Sequence, residues 1–188
     1  AAADELSTAR ALADASRNPT LLAFCDYVGG ELLVERDPAG ARPGLERARS
    51  AARQIGNRYL AAIAGASAVS CAARSGEPAQ ALGGFAELLD YFDRAGSSTQ
   101  QWTTIRALIE TLATLDRNEE AATLYGALTA SATASPIIGA DATRLTAVMT
   151  ALADRLGQAR LDELVAAGAR LGDAQAMAYA LRAITDAG

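Results

Sequence analysis

The 188-residue sequence contains no histidine and no lysine; all 17 of its basic residues are arginine. That absence removes whole classes of chemistry. Ser-His-Asp and Cys-His nucleophiles, a Schiff-base lysine, a two-histidine zinc helix and a phosphate loop closed by Gly-Lys-Ser/Thr are all excluded. There are two cysteines, Cys25 and Cys71. Two thiolates without imidazoles are too few for a zinc site, and a disulfide framework shows more cysteines, regularly spaced. Both read as small buried hydrophobes in a reducing, cytoplasmic compartment. Nothing points to a metal or a cofactor. Aromatics are only 5% of the chain, and alternating Val/Ile/Tyr/Thr runs are missing, so strands are not expected. No charge-free apolar run approaches the ~18 residues of a membrane span, and the acidic, polar start is not a signal peptide. The net charge is −5 and the arginines are scattered, which argues against nucleic-acid binding.

What is present is a repeat. Ile105, Leu108, Ile109 and Leu112 fall at i, i+3, i+4 and i+7, one face of a helix. After a break at 116–118, Ala121, Tyr125 and Leu128 form a second stripe. Forty residues earlier the frame reads Gly65, Ala68, Val69, Ala72 and then Ala81, Phe85, Leu88. Forty earlier again it reads Cys25, Val28, Gly29, Leu32 and then Ala41, Leu45, Ala48. Forty later it reads Leu145, Val148, Met149, Leu152 and then Leu161, Val165, Gly168. Four frames in register predict an all-α array of helical hairpins with a period of about 40 residues.

In order, the pattern predicts a helix over 4–16, hairpins at 19–35/39–54, 58–74/78–94, 99–115/118–132 and 141–156/160–171, and a last helix over 173–186. Asn18–Pro19, Ser97–Ser98 and Asp141 are candidate helix starts, and Gly56 and Gly96 candidate stops. The chain reads as one repeat domain, 1–188: a partial leading repeat at 1–17, four hairpins at 18–172, and a capping helix at 173–188. With no initial Met and only half a leading hairpin, a fragment of a longer or processed protein is expected. Gly29–Gly30 and Gly83–Gly84 fall inside helices, where glycine lets helices approach. Ile137 and Ile138, in the small-residue loop 131–139, are expected to tuck against the array, an exposed contact being the alternative.

The stretch Gly76–Glu77–Pro78–Ala79–Gln80–Ala81–Leu82, with Phe85 and Leu88, resembles the second helix of a tetratricopeptide repeat, as does 116–128 with Glu120–Ala121 and Tyr125. The period departs from the usual ~34 residues, and small or aliphatic residues replace the usual first-helix Trp, Gly and Tyr. Towards the C-terminus, Leu124–Tyr125–Gly126–Ala127, Arg144–Leu145, Leu156–Gly157, Gly168, Leu171, Ala174 and Ala178–Tyr179–Ala180–Leu181 resemble the tail of large actinobacterial signalling ATPases. These are the STAND-type, LuxR-type regulators, some fused to adenylate cyclase domains. The resemblance implies a right-handed TPR-like superhelix serving as sensor or scaffold, and brings no catalytic residue.

In such a stack the first helices line the concave side. Asp26, Gly30, Ile63, Ser70, Thr103, Arg106 and Glu110 would face inward, with Trp102 and Tyr59 near that side. Asp26, Ser70, Trp102, Thr103, Arg106 and Glu110 are therefore the candidate partner-binding residues. Arg106 and Glu110, four apart, read more readily as a surface ion pair, worth a few tenths of a kcal/mol, than as a ligand site. The sequence thus predicts a non-enzymatic protein-interaction domain of a bacterial signalling or transcriptional regulator. Its partner would be another protein or upstream domains of the parent chain, and it would be a monomer or weak homodimer. The alternative is a sensor that binds a small-molecule effector and controls an upstream ATPase or cyclase domain.

Overall fold

The structure, a computed structural model, describes residues 2–186. Residue 1 of the expected leading repeat and residues 187–188 of the expected cap lie outside the described residues. Among the described residues there are ten α-helices and no strand. They are α1 (Ala2–Ser16), α2 (Pro19–Glu31), α3 (Pro38–Gln54), α4 (Arg58–Arg74), α5 (Pro78–Arg94), α6 (Ser98–Thr114), α7 (Asn118–Ala130), α8 (Gly139–Leu156), α9 (Gln158–Gly168) and α10 (Asp173–Thr185). The chain is all-α, as the pattern predicts. None of these helices is long and apolar enough to cross a membrane.

Local chemistry sets the helix ends. Asn18 Oδ1 accepts from the Thr20 and Leu21 amides at 3.0 and 3.4 Å, with Pro19 in the first turn. Asp37 and Asn57 cap α3 and α4 in the same way, at 2.9 and 3.0 Å. These side chains satisfy amide donors the helix leaves open. Residues 56, 76, 96 and 116 carry positive φ and close α3, α4, α5 and α6. In each turn the next amide reaches back to a carbonyl five residues earlier: Asn57 to Ala52, Glu77 to Ala72, Ser97 to Phe92 and Arg117 to Leu112. Three of the four positions are glycine, which takes this conformation without a Cβ penalty; Asp116 is the exception.

Several helix ends differ from the sequence reading: α7 stops at Ala130 rather than 132, and α9 runs over Gln158–Gly168 rather than 160–171. α2 ends at Glu31, because beyond Gly29–Gly30 the backbone tightens, with the Leu33 amide bonding the Gly30 carbonyl at 2.9 Å. Ser97 precedes α6 but makes no side-chain cap bond. Asp141 lies inside the first turn of α8, which starts at Gly139 with positive φ, and its carboxylate is used elsewhere.

The chain divides into two compact units, Ala1–Glu77 and Pro78–Gly188. The division falls in the 75–78 turn, inside what the repeat frame reads as one hairpin. In the first unit α2 packs on α1, α3 and α4, and α3 on α4. Its core is thin and rich in alanine: Ala23, Ala41, Ala48, Ala52, Ala64 and Ala68 surround Leu45, Leu60 and Cys71. Both cysteines are buried free thiols, and burial pushes the Cys71 thiol up from its ordinary pKa.

The second unit is built from larger residues. α6 packs on α5, α7 and α8, α7 on α8 and α9, and α10 lies against α5 and α7. Phe85, Phe92, Trp102, Ile105, Leu108, Ile109, Leu112, Leu124 and Leu128 are fully buried. The stripe positions of α6 are therefore all interior. Tyr125, Val148 and Met149, which the same frame places inside, are only half-buried; α8 buries just Leu145 and Leu152. Gly126 and Gly168 let α7 and α9 meet backbone to backbone: a Cβ on either would overlap a carbonyl oxygen of the other helix, at Val165 and Thr123 respectively. By contrast, a Cβ on Gly83 meets nothing within 4 Å, so that glycine serves no close approach.

Candidate functional site

The six candidate residues fall in both units, and each unit is described by itself. In the first, Asp26 stands on α2 and Ser70, half-buried, on α4. Asp26 is nearly covered and accepts from Arg10 Nη1 of α1 at 2.8 Å. That hydrogen bond and the charge of Asp26 hold the Arg10 guanidinium above its ordinary pKa. The pair fastens α1 to α2, an otherwise lightly packed contact: Ala13 is the one buried residue of α1.

Two concavities flank α1. One, of about 450 Å³, is bounded by α1, α2 and α3 and contains Arg10, Asp26 and Arg47 together with Leu6, Gly30 and Gly44. The other, about 330 Å³, is an apolar groove between α1 and α2 lined by Leu6, Ala9, Phe24, Val28 and Leu32, with Glu5 at its edge. Leu21 and Phe24, three apart on α2, are 46% and 50% exposed. The small residues of α1 and α2 create both spaces, since alanine and glycine leave the interhelix volume unfilled.

In the second unit Trp102, Thr103, Arg106 and Glu110 all stand on α6. Trp102 is buried, and its Nε1 donates to Thr133 Oγ1 at 2.9 Å; Thr133 in turn donates to Asp173 Oδ2 at 2.6 Å. Thr103 is exposed and bonds back to the Thr99 carbonyl of its own helix. Arg106 is 93% buried, being 7% exposed. Its Nη1 donates to Asp141 Oδ2 at 3.2 Å, and its Nη2 to the Ser135 and Pro136 carbonyls. Glu110 accepts from Arg144 Nε at 3.0 Å, and Arg144 also donates to Asp141.

Arg106, Asp141, Arg144 and Glu110 thus alternate in charge between α6 and the start of α8, and the expected Arg106–Glu110 neighbours each reach into α8. Trp102 and Arg106 hold the 131–138 loop from both ends. Within that loop Ile137 is half-buried, while Ile138 is 74% exposed and does not tuck inward. The partners of Arg106 escape a reading of helix faces because they are far along the chain. A usable signal exists: Arg42–Glu77, Arg106–Asp141, Arg144–Glu110 and Arg160–Glu119 are opposite charges 34 to 41 residues apart.

At the start of α7, burial would raise the Glu120 carboxyl, but its bond from Arg117 Nε at 2.9 Å holds it below the ordinary carboxylate value. Among the described residues no group of three Cys, Asp or Glu side chains is gathered to hold a metal ion. The chain matches no protein-family model, no curated protein and no solved structure.

Proposed function

We propose that this chain is a non-enzymatic interaction domain, a right-handed TPR-like stack of helical hairpins in the signalling tail of a bacterial STAND/LuxR-type regulator. Its partner is an apolar helix face, supplied by another protein or by an upstream domain of the parent chain in the cytoplasm. The four-frame repeat and the regulator-like residues of the C-terminal third support the architecture. The observation that carries the binding reading is the apolar α1–α2 groove with the exposed Leu21 and Phe24 beside it. Grooves of this kind seat amphipathic helices through anchors at helical spacing. In the second unit, Trp102, Glu110 and both Arg106 Nη atoms bond within the chain, and Arg106 Nε is buried without a partner.

Site-specific photo-crosslinking in cells tests this. A photoreactive residue at position 24 should trap a discrete partner band, and one at the exposed Glu163 should not. Equal trapping from both positions, or trapping from 163 alone, refutes the groove as the docking surface.

A further inference from the structure

We propose that the α1–α2–α3 cavity binds a small organic monoanion, with its carboxylate on Arg47 and its apolar body against Leu6, Leu33 and Pro43. The site shares Leu6 and Cys25 with the docking groove but takes a different ligand and does not depend on that reading. Its volume, about 450 Å³, is in the range of small-molecule sites, ~300–1,000 Å³. The charged side chains in its wall are Arg10, Asp26 and Arg47, beside the Cys25 thiol. Arg10 and Asp26 neutralise each other at 2.8 Å, which leaves one unpaired positive charge among the side chains of the wall itself, with the Asp37 carboxylate just beyond Gly40.

Arg47 supplies that charge. Among the described residues its side chain has no hydrogen-bond or ion-pair partner, as is also true of the exposed Arg17, Arg53, Arg58 and Arg170, but of these five arginines it alone stands in the cavity wall. Its guanidinium folds back over Gly44: a Cβ there would lie 3.7 Å from Nη2. Arg47 is exposed and lines the cavity, and a planar guanidinium fork can take a carboxylate by two parallel bonds. Asp26, already paired, disfavours a second negative charge on the ligand. Leu6, Leu33 and Pro43 give the wall an apolar part that inorganic anions cannot use.

The test uses benzoate as probe, with benzamide as its neutral analogue and inorganic phosphate as an anion without an apolar body, read by NMR titration of the labelled chain. Benzoate should shift the Gly40, Gly44 and Cys25 amides saturably, and benzamide and phosphate should bind at least ten-fold more weakly. Arg47→Gln should weaken benzoate at least ten-fold. Gly44→Ala adds a methyl group at ordinary contact distance under the guanidinium, so it should melt no lower than the parent yet weaken benzoate several-fold. Phe24→Ser, in the docking groove, should leave benzoate binding unchanged. Equal binding of benzoate and benzamide, full binding by Arg47→Gln, or loss of binding in Phe24→Ser would overturn the assignment.

Discussion

Gly168 of α9 sits directly on the backbone of α7 at Thr123: a Cβ at 168 would overlap the Thr123 carbonyl oxygen and lie 2.8 Å from its carbon. Gly126 of α7 faces Val165 of α9 in the same way, its Cβ falling 2.8 Å from the Val165 carbonyl carbon. Neither obstacle is a flexible side-chain end, so the helices would have to part. Gly168→Ala and Gly126→Ala should each destabilise the chain by about 2–3 kcal/mol, despite the better helix propensity of alanine. Gly83→Ala, with open space around it, should stabilise by about 0.5–1 kcal/mol. Denaturant midpoints of the three variants check the contrast; a stabilising Gly168→Ala would mean the helices do not meet there.

Arg106 is a loop clamp. Replacing it with Met keeps most of the volume but strips hydrogen bonds from Asp141 and from the Ser135 and Pro136 carbonyls. Asp141 keeps Arg144, so the loss should be about 2–3 kcal/mol, short of the full cost of an orphaned buried charge. Amides across 131–138 should exchange faster with solvent in the same variant. Unchanged exchange there would contradict the clamp.

Core depth sets a second contrast. Leu108 has no exposed surface, and Leu108→Ala should cost about 2–5 kcal/mol. Val148 belongs to the same stripe one frame later but is half-buried, and Val148→Ala should cost only about 1 kcal/mol. Similar losses at the two sites, measured by chemical denaturation, would mean α8 is packed more deeply than described.

The Glu120 carboxyl is held below its ordinary value in the folded chain by Arg117, against the opposing effect of burial. A lowered carboxylate stabilises the fold above its unfolded pKa, and that contribution is lost as pH falls through the folded one. Arg117→Ala should therefore cost about 0.3–0.5 kcal/mol at pH 7. The difference from the parent should vanish in strong acid. A difference that grows on acidification would reverse the assigned sign.

Much of this architecture is written in short-range pattern. The i, i+3, i+4, i+7 stripe of 105–112, the Pro19 start and the Gly56 and Gly96 stops mark helices, because a helix end and a helix face are each determined by a few neighbouring residues. Long-range geometry is less legible. Asp141 looks like an N-cap until its arginine partners are in view, and Gly83 and Gly168 are indistinguishable without the helix that packs, or does not pack, against them. The candidate site shows the same limit. Asp26, Trp102, Arg106 and Glu110 stand on helices placed correctly, but their polar atoms are claimed by α1, by α8 and by the 131–138 loop. The α1–α2 groove leaves almost no periodic trace, being the space that Ala2, Ala9 and other small residues fail to fill.

The central claim is that partners dock on α1 and α2. Hydrogen exchange of the chain in complex with the partner trapped from position 24, compared with the free chain, tests it most directly. New protection is expected over residues 2–31, where thin packing leaves the free helices open, and little change over 98–130, already buried in the core of the second unit. Protection confined to the second unit, with 2–31 unchanged, would contradict it.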